Sequence, residues 1–261
     1  MSFTGKPFKF YRISPKKHID FIHKIYYNKG NVAFVERKSI MWTEKILFIL
    51  EIIGTISFAV SGAFVAIKAK FDIFGVLFIG CITAVGGGIM RDTLIGNIPP
   101  LIFSRVYLLL IACGSALAVF WISYHYRKKF DGTREKIEHI NNVFDAIGLA
   151  AFTVMSTELA FTYGFEKNIM FSLVLGVLPA VGGGVLRDIL TETPPFIFTK
   201  HIYALAAIGG AILYYTMRLC MESAILPTAL AMALVIGVRM LATKYHWKLP
   251  KIQLDEPSDK E

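Results

Sequence analysis

The sequence predicts an all-α polytopic membrane protein with seven transmembrane helices, arranged as two inverted three-helix repeats plus one extra helix. The first observation is composition, since 55% of the 261 residues are hydrophobic and only 18% are charged. The second is that the apolar residues come in runs of about twenty, the length that crosses ~30 Å of hydrocarbon. The third is an internal duplication that places three runs in each copy.

Seven apolar runs follow one another along the chain, at 46–66, 73–95, 106–124, 142–161, 169–190, 202–221 and 224–242. They predict a basic extension, a first three-helix repeat, a basic loop, a second repeat, a seventh helix and a polar tail. The corresponding ranges are 1–40, 41–124, 125–140, 141–221, 222–243 and 244–261. The extension is expected to be disordered and dispensable, because a chain starting at Met41 would contain every span. The seventh helix is expected to pack outside the six-helix core or to form an oligomer contact.

The duplication is clearest in a glycine motif that lies late in the second and the fifth runs. Each copy has three consecutive glycines followed by an arginine and an aspartate, at an offset of 96 residues. The residues are Gly86, Gly87, Gly88, Arg91 and Asp92 in the first copy, and Gly182, Gly183, Gly184, Arg187 and Asp188 in the second. Because each copy holds three spans, the second copy must cross the membrane in the opposite sense. Inverted repeats of this kind build transport proteins.

The triple glycines are expected to break or kink the second and fifth helices near the middle of the membrane. Each glycine costs about 1 kcal/mol relative to alanine in a helix, and a break exposes backbone groups that lipid cannot satisfy. The kinks should therefore face protein or water, although a notch where another helix crosses is the simpler alternative. Neighbouring residues on a helix point about 100° apart, so each arginine and aspartate is expected to find its partner elsewhere.

Other polar residues within the spans complete a predicted narrow, watery path with a charged pair near each mouth. Carboxylates at the pore mouths and hydroxyls along the path favour cations, whereas the arginines would either set a gate or be neutralised by the aspartates. The predicted mouth acids are Glu51, Asp145 and Glu158, and the predicted pore hydroxyls are those of Ser57, Ser61, Thr83, Thr153, Ser156 and Thr157.

Several other classes of function lack a signal in the sequence. No nucleophile with its base, phosphate loop or dinucleotide fingerprint is present, and the six histidines show no metal-ligand spacing, so neither an enzyme nor a cofactor or metal is expected. The three cysteines are interpreted as small buried hydrophobes. The net charge of +9 comes largely from segments beside spans, which is typical of topology signals and lipid contact rather than nucleic-acid binding.

The repeated motif resembles the prokaryotic trimeric intracellular cation (TRIC) channel family, whose bacterial members also carry the "glycine transporter" domain name. The resemblance rests on the doubled Gly-Gly-Gly-x-x-Arg-Asp, on the Gly54…Phe58-Ala-Val-Ser-Gly62 opening and on the Pro-Pro after each glycine span. It covers about Met41 to Lys244.

The resemblance implies a homotrimer in the cell (inner) membrane that conducts monovalent cations, potassium and sodium. Each protomer would contain its own pore, lined by the second and fifth helices, which are kinked at their glycines. The family places its N-terminus outside and its C-terminus in the cytoplasm, which agrees with the basic residues of the 125–140 loop and the C-terminal end. The chain departs from the family in its basic extension. It also has Gly-Ile-Met and Gly-Val-Leu where animal members have a lipid-binding Lys-Glu-Val, so phosphoinositide regulation is not expected.

A second hypothesis from another class is a secondary transporter of glycine or another small zwitterionic solute, which would use the same inverted repeats to alternate access. A scaffold without transport is the third. The resemblance, together with the lack of an obvious coupling-ion cluster, favours the channel.

Overall fold

The computed structural model describes residues 33–126, 134–199 and 202–247. Most of the predicted extension, half of the predicted basic loop and most of the predicted polar tail therefore lie outside the described residues. Contacts group residues 43–261 into one compact unit. Within the described residues of that unit the chain forms helices, turns and loops and no strand, which confirms the predicted all-α class.

Seven helices are long and apolar enough to cross a membrane, as predicted. They are α1 (Ala33–Lys68), α2 (Ile73–Leu94), α3 (Val106–His125), α4 (Arg134–Thr162), α5 (Ile169–Leu190), α6 (Tyr203–Cys220) and α7 (Ile225–Lys244). A 3-10 turn, Leu101–Phe103, and a short helix, Phe196–Thr199, follow α2 and α5. Helix α4 begins within the predicted 125–140 loop, because its polar first turns extend the helix beyond the apolar run.

Helices α2 and α5 begin in the same way, which is the first structural sign of the repeat. The Asp72 carboxylate accepts a hydrogen bond from the Gly75 N–H at 2.7 Å, and the Asn168 side chain accepts one from the Phe171 N–H at 3.1 Å. Such N-caps satisfy amide groups that have no partner inside the helix. The two caps are 96 residues apart, the same offset as the glycine motifs.

Helices α1 and α4 cross through a pair of equivalent aromatic residues. The rings of Phe58 and Phe152 stack with their centroids 5.3 Å apart, and each ring lies over the glycine of the opposite helix. A Cβ on Gly54 would lie 2.6 Å from the Phe152 ring, and one on Gly148 would lie 2.5 Å from the Phe58 ring. Because residue numbers rise on one helix as they fall on the other, the helices are antiparallel. The two repeats are therefore inverted, as predicted.

The seventh helix is attached to the second repeat by packing and by a buried ion pair. Helix α7 packs against α4 and α6, and its Arg239 is 2% exposed and reaches the carboxylate of Asp145 on α4. Whether the seventh helix lies outside the six-helix core or forms an oligomer contact stays a prediction. A buried arginine needs a carboxylate partner in a low-dielectric surrounding, and the available partner belongs to the second repeat.

The cysteines are less buried than predicted. All three are free thiols, and Cys220 is exposed at the end of α6. Cys81 of α2 and Cys113 of α3 are half-buried, with their sulfur atoms 3.2 Å apart.

Candidate functional site

The two glycine motifs meet where α2 and α5 cross. A Cβ on Gly87 would collide with the carbonyl oxygen of Pro179, and one on Gly183 would collide with the carbonyl oxygen of Thr83. These two contacts are equivalent in the two repeats, since residues 83 and 87 of the first repeat correspond to residues 179 and 183 of the second. The backbones touch here because neither helix has a side chain to hold the other away.

The flanking glycines extend the same symmetric contact. A Cβ on Gly86 would lie 2.7 Å from Leu186, and one on Gly182 would collide with the sulfur of Met90. Residues 86 and 90 correspond to 182 and 186, so this pair is also repeated. The motif therefore forms a notch at a helix crossing, which was the simpler of the two predicted alternatives.

The glycines do not interrupt either helix. Helix α2 runs unbroken from Ile73 to Leu94 and α5 from Ile169 to Leu190, so the predicted break is wrong. A continuous helix keeps its amide and carbonyl groups paired, which a hydrocarbon surrounding demands. Helix α5 does lack one hydrogen bond at Pro179, because proline has no N–H to donate. Whether these glycines bend α2 and α5 stays a prediction.

The first charged cluster forms around Arg91, one turn beyond the α2 glycines. Its guanidinium donates to the adjacent Asp92 through Nε at 2.9 Å and lies 3.6 Å from the Glu51 carboxylate of α1. Arg105, which comes just before α3, pairs with the other oxygen of Glu51. The cluster joins α1, α2 and the loop before α3, with two positive and two negative charges.

The second cluster forms around Arg187, one turn beyond the α5 glycines. Its guanidinium donates to the adjacent Asp188 at 2.7 Å, to Asp145 of α4 at 2.8 Å and to the hydroxyl of Ser61 at 2.7 Å. Arg239 of α7 lies 3.4 Å from the other oxygen of Asp145. This cluster also contains two charges of each sign.

The aspartates of the two clusters make equivalent hydrogen bonds. Asp92 Oδ2 accepts the Leu101 N–H, and Asp188 Oδ2 accepts the Phe196 N–H, each at 2.8 Å. These bonds attach the segment after each glycine helix to the aspartate of its motif. The aspartate of each motif therefore has a structural role, because it holds the segment that follows its helix.

The arginines also cross between the repeats in the same way. Arg91 Nη1 contacts the Met155 sulfur at 3.4 Å, and Arg187 Nη1 donates to Ser61. Positions 61 and 155 are equivalent at an offset of 94. Each glycine-helix arginine therefore reaches the opposite repeat at one shared position.

The prediction that adjacent Arg and Asp residues do not pair is wrong in both copies. The 100° separation applies to the Cα–Cβ directions, whereas arginine has three methylene groups and can fold its guanidinium back to the next residue. Burial enforces this choice, because Arg91, Asp92, Arg187 and Asp188 are all at most 2% exposed. Charge-assisted hydrogen bonds offset the loss of water.

Sequence reasoning missed the two arginines that complete the clusters. Arg105 and Arg239 hold equivalent carboxylates, but the Arg105 side chain is 38% exposed while that of Arg239 is 2% exposed. Arg239 is a charged residue inside an apolar span, and such residues are functional or paired by default, which was an available signal. Arg105 had none beyond its position after the Pro-Pro segment.

A small cavity of about 20 Å³ adjoins the first cluster. A space of this size holds a water molecule. Its polar walls are formed by Glu51, Thr55, Arg91 and Asp92, and its apolar walls include Phe152.

The third predicted mouth acid, Glu158, lies in a separate cluster on α4. Its carboxylate pairs with Arg218 of α6 at 3.1 Å and accepts the Tyr214 hydroxyl at 2.8 Å. The structure therefore brings Glu51 and Asp145 to the glycine motifs but does not bring Glu158 there.

The predicted pore hydroxyls are all buried, although they have different partners. Thr83 and Thr157 donate to carbonyl groups one turn earlier in their own helices, whereas Ser61 joins the second cluster and also donates to Asn141 at 2.8 Å. Among the described residues, the hydroxyls of Thr153 and Ser156 have no hydrogen-bond partner. Ser57 is also buried, at 4% exposure.

Comparisons with known proteins agree with the doubled architecture. The model of the family described as "Glycine transporter" matches residues 48–123 and 142–218, once in each repeat. The UPF0126 inner membrane protein YadS of Escherichia coli K12 is 33% identical over 215 residues, which cover 81% of this chain and 98% of YadS.

Solved structures with the same fold are TRIC channels. A prokaryotic TRIC channel crystallised in 0.5 M KCl is 32% identical, with a TM-score of 0.71, and the match covers 79% of this chain and 100% of that one. The TRIC trimeric intracellular cation channel orthologue from Rhodobacter sphaeroides is 27% identical, with a TM-score of 0.69, over 77% of this chain and 99% of that one. The protein therefore belongs to the "Glycine transporter" family, and its likeness to TRIC channels confirms the resemblance found in the sequence.

Proposed function

We propose that the protein is a membrane channel for monovalent cations, potassium and sodium, with one pore in each protomer of a homotrimer. The pore is lined by α2 and α5 and runs past the two charged clusters. The channel lies in the cell (inner) membrane, with the N-terminus outside and the C-terminus in the cytoplasm. The likeness to solved TRIC cation channels supports this proposal.

The observation that carries the proposal is the pair of buried clusters on either side of the glycine crossing. Charge inside a membrane span is costly and marks an ion pathway by default. Here four carboxylates, those of Glu51, Asp92, Asp145 and Asp188, lie within the spans, each neutralised by arginine. A cation that approaches such a cluster competes with a guanidinium for the same oxygen atoms.

The crossing itself is closed in the arrangement described here. The carbonyl oxygen of Pro179 leaves no room for a methyl group at Gly87, and Thr83 does the same at Gly183. A potassium ion therefore cannot pass between these backbones unless α2 and α5 separate. At Gly87 and Gly183 the contact is between backbones, so such a motion separates no interlocked side chains at these two positions.

The proposal is tested with purified protein in liposomes loaded with potassium chloride. A protonophore is then added, so that protons can enter and balance the charge of the potassium that leaves. The rate of potassium efflux is expected to exceed that of protein-free liposomes. Gly87→Ala should alter this flux, whereas Gly114→Ala should leave it unchanged, because a Cβ on Gly114 meets no described atom within 4 Å. Efflux no faster than in empty liposomes would refute the channel.

A carrier of glycine or another small zwitterion is the second candidate, favoured by the description of the matching family. The clusters offer arginine for a carboxylate and acids for an ammonium group. A carrier predicts glycine uptake that saturates and no electrically driven potassium efflux. The two measurements on the same liposomes therefore separate the candidates.

A further inference from the structure

The two charged clusters differ in how firmly their additional arginines are held. Arg105 of the first cluster and Arg239 of the second pair with carboxylates at equivalent places. The Arg239 side chain is enclosed, since it extends from within α7 and packs on the face of the Tyr203 ring, with its guanidinium carbon 4.6 Å from the ring centroid. The Arg105 side chain, in contrast, is 38% exposed. Of the two arginines, Arg105 is therefore the one that can leave its carboxylate for water without movement of a helix.

The surroundings of Arg105 leave its side chain room to turn outward. The residue lies outside the spans, between the 3-10 turn Leu101–Phe103 and the first residue of α3. The flanking side chains of Phe103 and Val106 are both exposed. The backbone at Arg105 is held, because its N–H donates to the Leu101 carbonyl at 2.8 Å. Release of the guanidinium therefore requires a change of side-chain conformation and leaves the fold closed.

Departure of Arg105 leaves the first cluster short of one positive charge. Glu51 and Asp92 then carry two negative charges, and the buried Arg91, which pairs with both, carries one positive charge. Uncompensated charge within a span is costly, and one monovalent cation neutralises this cluster. A divalent cation would instead leave an excess positive charge. The charge of the open cluster is therefore matched to a monovalent cation.

Space for such a cation adjoins Glu51. The cavity of about 20 Å³ is lined by the oxygen-bearing side chains of Glu51, Thr55 and Asp92, and oxygen atoms can replace the hydration shell of potassium. The cavity holds a water molecule, and a dehydrated potassium ion is of about the same size. Gly88 forms another part of the wall. Among the described residues, a Cβ on Gly88 would have only Arg91 Nη2 within 4 Å, at 3.9 Å, which agrees with open space on this side of the motif.

We propose that Arg105 is a tethered competitor for a monovalent cation at Glu51, so that its release opens a cation-binding position and its return closes it. This role rests on the proposed channel function and deepens it, because it makes the first cluster the position at which a permeating cation displaces a guanidinium. Arg239 stays paired with Asp145, so the second cluster remains a fixed contact between α4, α5 and α7.

The role of Arg105 is tested by anomalous diffraction from crystals of the full chain soaked in thallium(I) acetate, because thallium(I) resembles potassium in charge and size and scatters strongly. Arg105→Gln removes the competing charge and keeps a polar side chain. At equal thallium concentration, this variant is expected to show a higher anomalous peak at the Glu51 carboxylate than the wild-type protein. Arg218→Gln is the matched control, because Arg218 is also a partly exposed partner of a buried glutamate, Glu158, and it should leave the peak at Glu51 unchanged.

Gly88→Ala provides a second variant that leaves every charge in place. Because Gly88 lines the cavity, its methyl group would take up part of the space without a collision. Combined with Arg105→Gln, it should remove the thallium peak. In planar bilayers, the potassium concentration that gives half of the maximal unitary current should fall by about fivefold or more in Arg105→Gln, since the cation no longer competes with a guanidinium.

Equal thallium peaks at Glu51 in the wild-type protein and in Arg105→Gln, or no peak in either, would overturn the role of Arg105, as would an unchanged half-saturating potassium concentration. Diffraction detects binding without current, so the two proposals fail separately. A protein that carries no potassium current but shows the expected difference in peaks contradicts the channel alone. A conducting protein with equal peaks contradicts the role of Arg105 alone.

Discussion

Alanine at Gly87 is the most informative single change, because the structure predicts that an ordinarily favourable substitution becomes unfavourable. In a helix, replacement of glycine by alanine stabilises by up to about 1 kcal/mol. At Gly87, however, the added methyl group would collide with the carbonyl oxygen of Pro179. A backbone oxygen cannot rotate away as a side chain can, so α2 and α5 must move apart.

The magnitude follows from comparison with a glycine that has free space. Gly114 in α3 meets no described atom within 4 Å, so Gly114→Ala gives the propensity gain alone. Overpacking of a tight contact costs about 1–3 kcal/mol, and the propensity term cancels between the two variants. Converted at about 2–4 °C per kcal/mol, the midpoint of Gly87→Ala should lie about 2–12 °C below that of Gly114→Ala.

The assay is thermal unfolding of both variants in the same detergent, followed by intrinsic tryptophan fluorescence. Gly183→Ala should behave like Gly87→Ala, because it collides with the equivalent carbonyl of Thr83. The double variant should lose less than the sum of the two losses, since one separation of the helices relieves both collisions. A Gly87→Ala midpoint equal to or above that of Gly114→Ala would refute the close crossing.

Two further predictions concern the clusters and the α1–α4 contact. Asp145→Asn should cost about 3–5 kcal/mol of unfolding free energy, the range for breaking a buried ion pair, and lower the yield of folded protein. Glu51→Gln should cost less, because one of its two arginine partners, Arg105, is 38% exposed and can be hydrated. Thermal midpoints that rank the other way would contradict the difference in burial. A double-mutant cycle of Phe58→Leu and Phe152→Leu should give a coupling energy of about 0.5–1.5 kcal/mol, and a coupling near zero would show that the stacked rings do not stabilise the inverted pair.

The fold could be predicted from the sequence because the two patterns that indicate it do not depend on side-chain conformation. Runs of about twenty apolar residues fix the number of spans, and the doubled glycine motif with three spans per copy fixes their inversion. The Phe58–Phe152 stack and the Gly87–Gly183 crossing are consequences of that inversion. The motif also predicted where α2 and α5 approach closely, whereas the predicted break in these helices is not observed.

The partners of the charges could not be predicted, because they depend on side-chain conformation and on helices outside the repeat. Arg91 turns back to its neighbour Asp92, a choice that helix geometry alone argues against. Asp145 recruits Arg239 from α7, a helix with no counterpart in the duplication. The equivalent Glu51 pairs instead with Arg105, which lies in a loop. The two copies of the motif therefore have different additional arginines beside them.

Recording from the purified protein in planar bilayers tests the central claim most directly. With unequal potassium chloride concentrations on the two sides, a cation channel gives unitary current steps that reverse near the potassium equilibrium potential. A silent bilayer accompanied by saturable glycine uptake, or currents that reverse near the chloride potential, would contradict the proposed pathway past the two clusters.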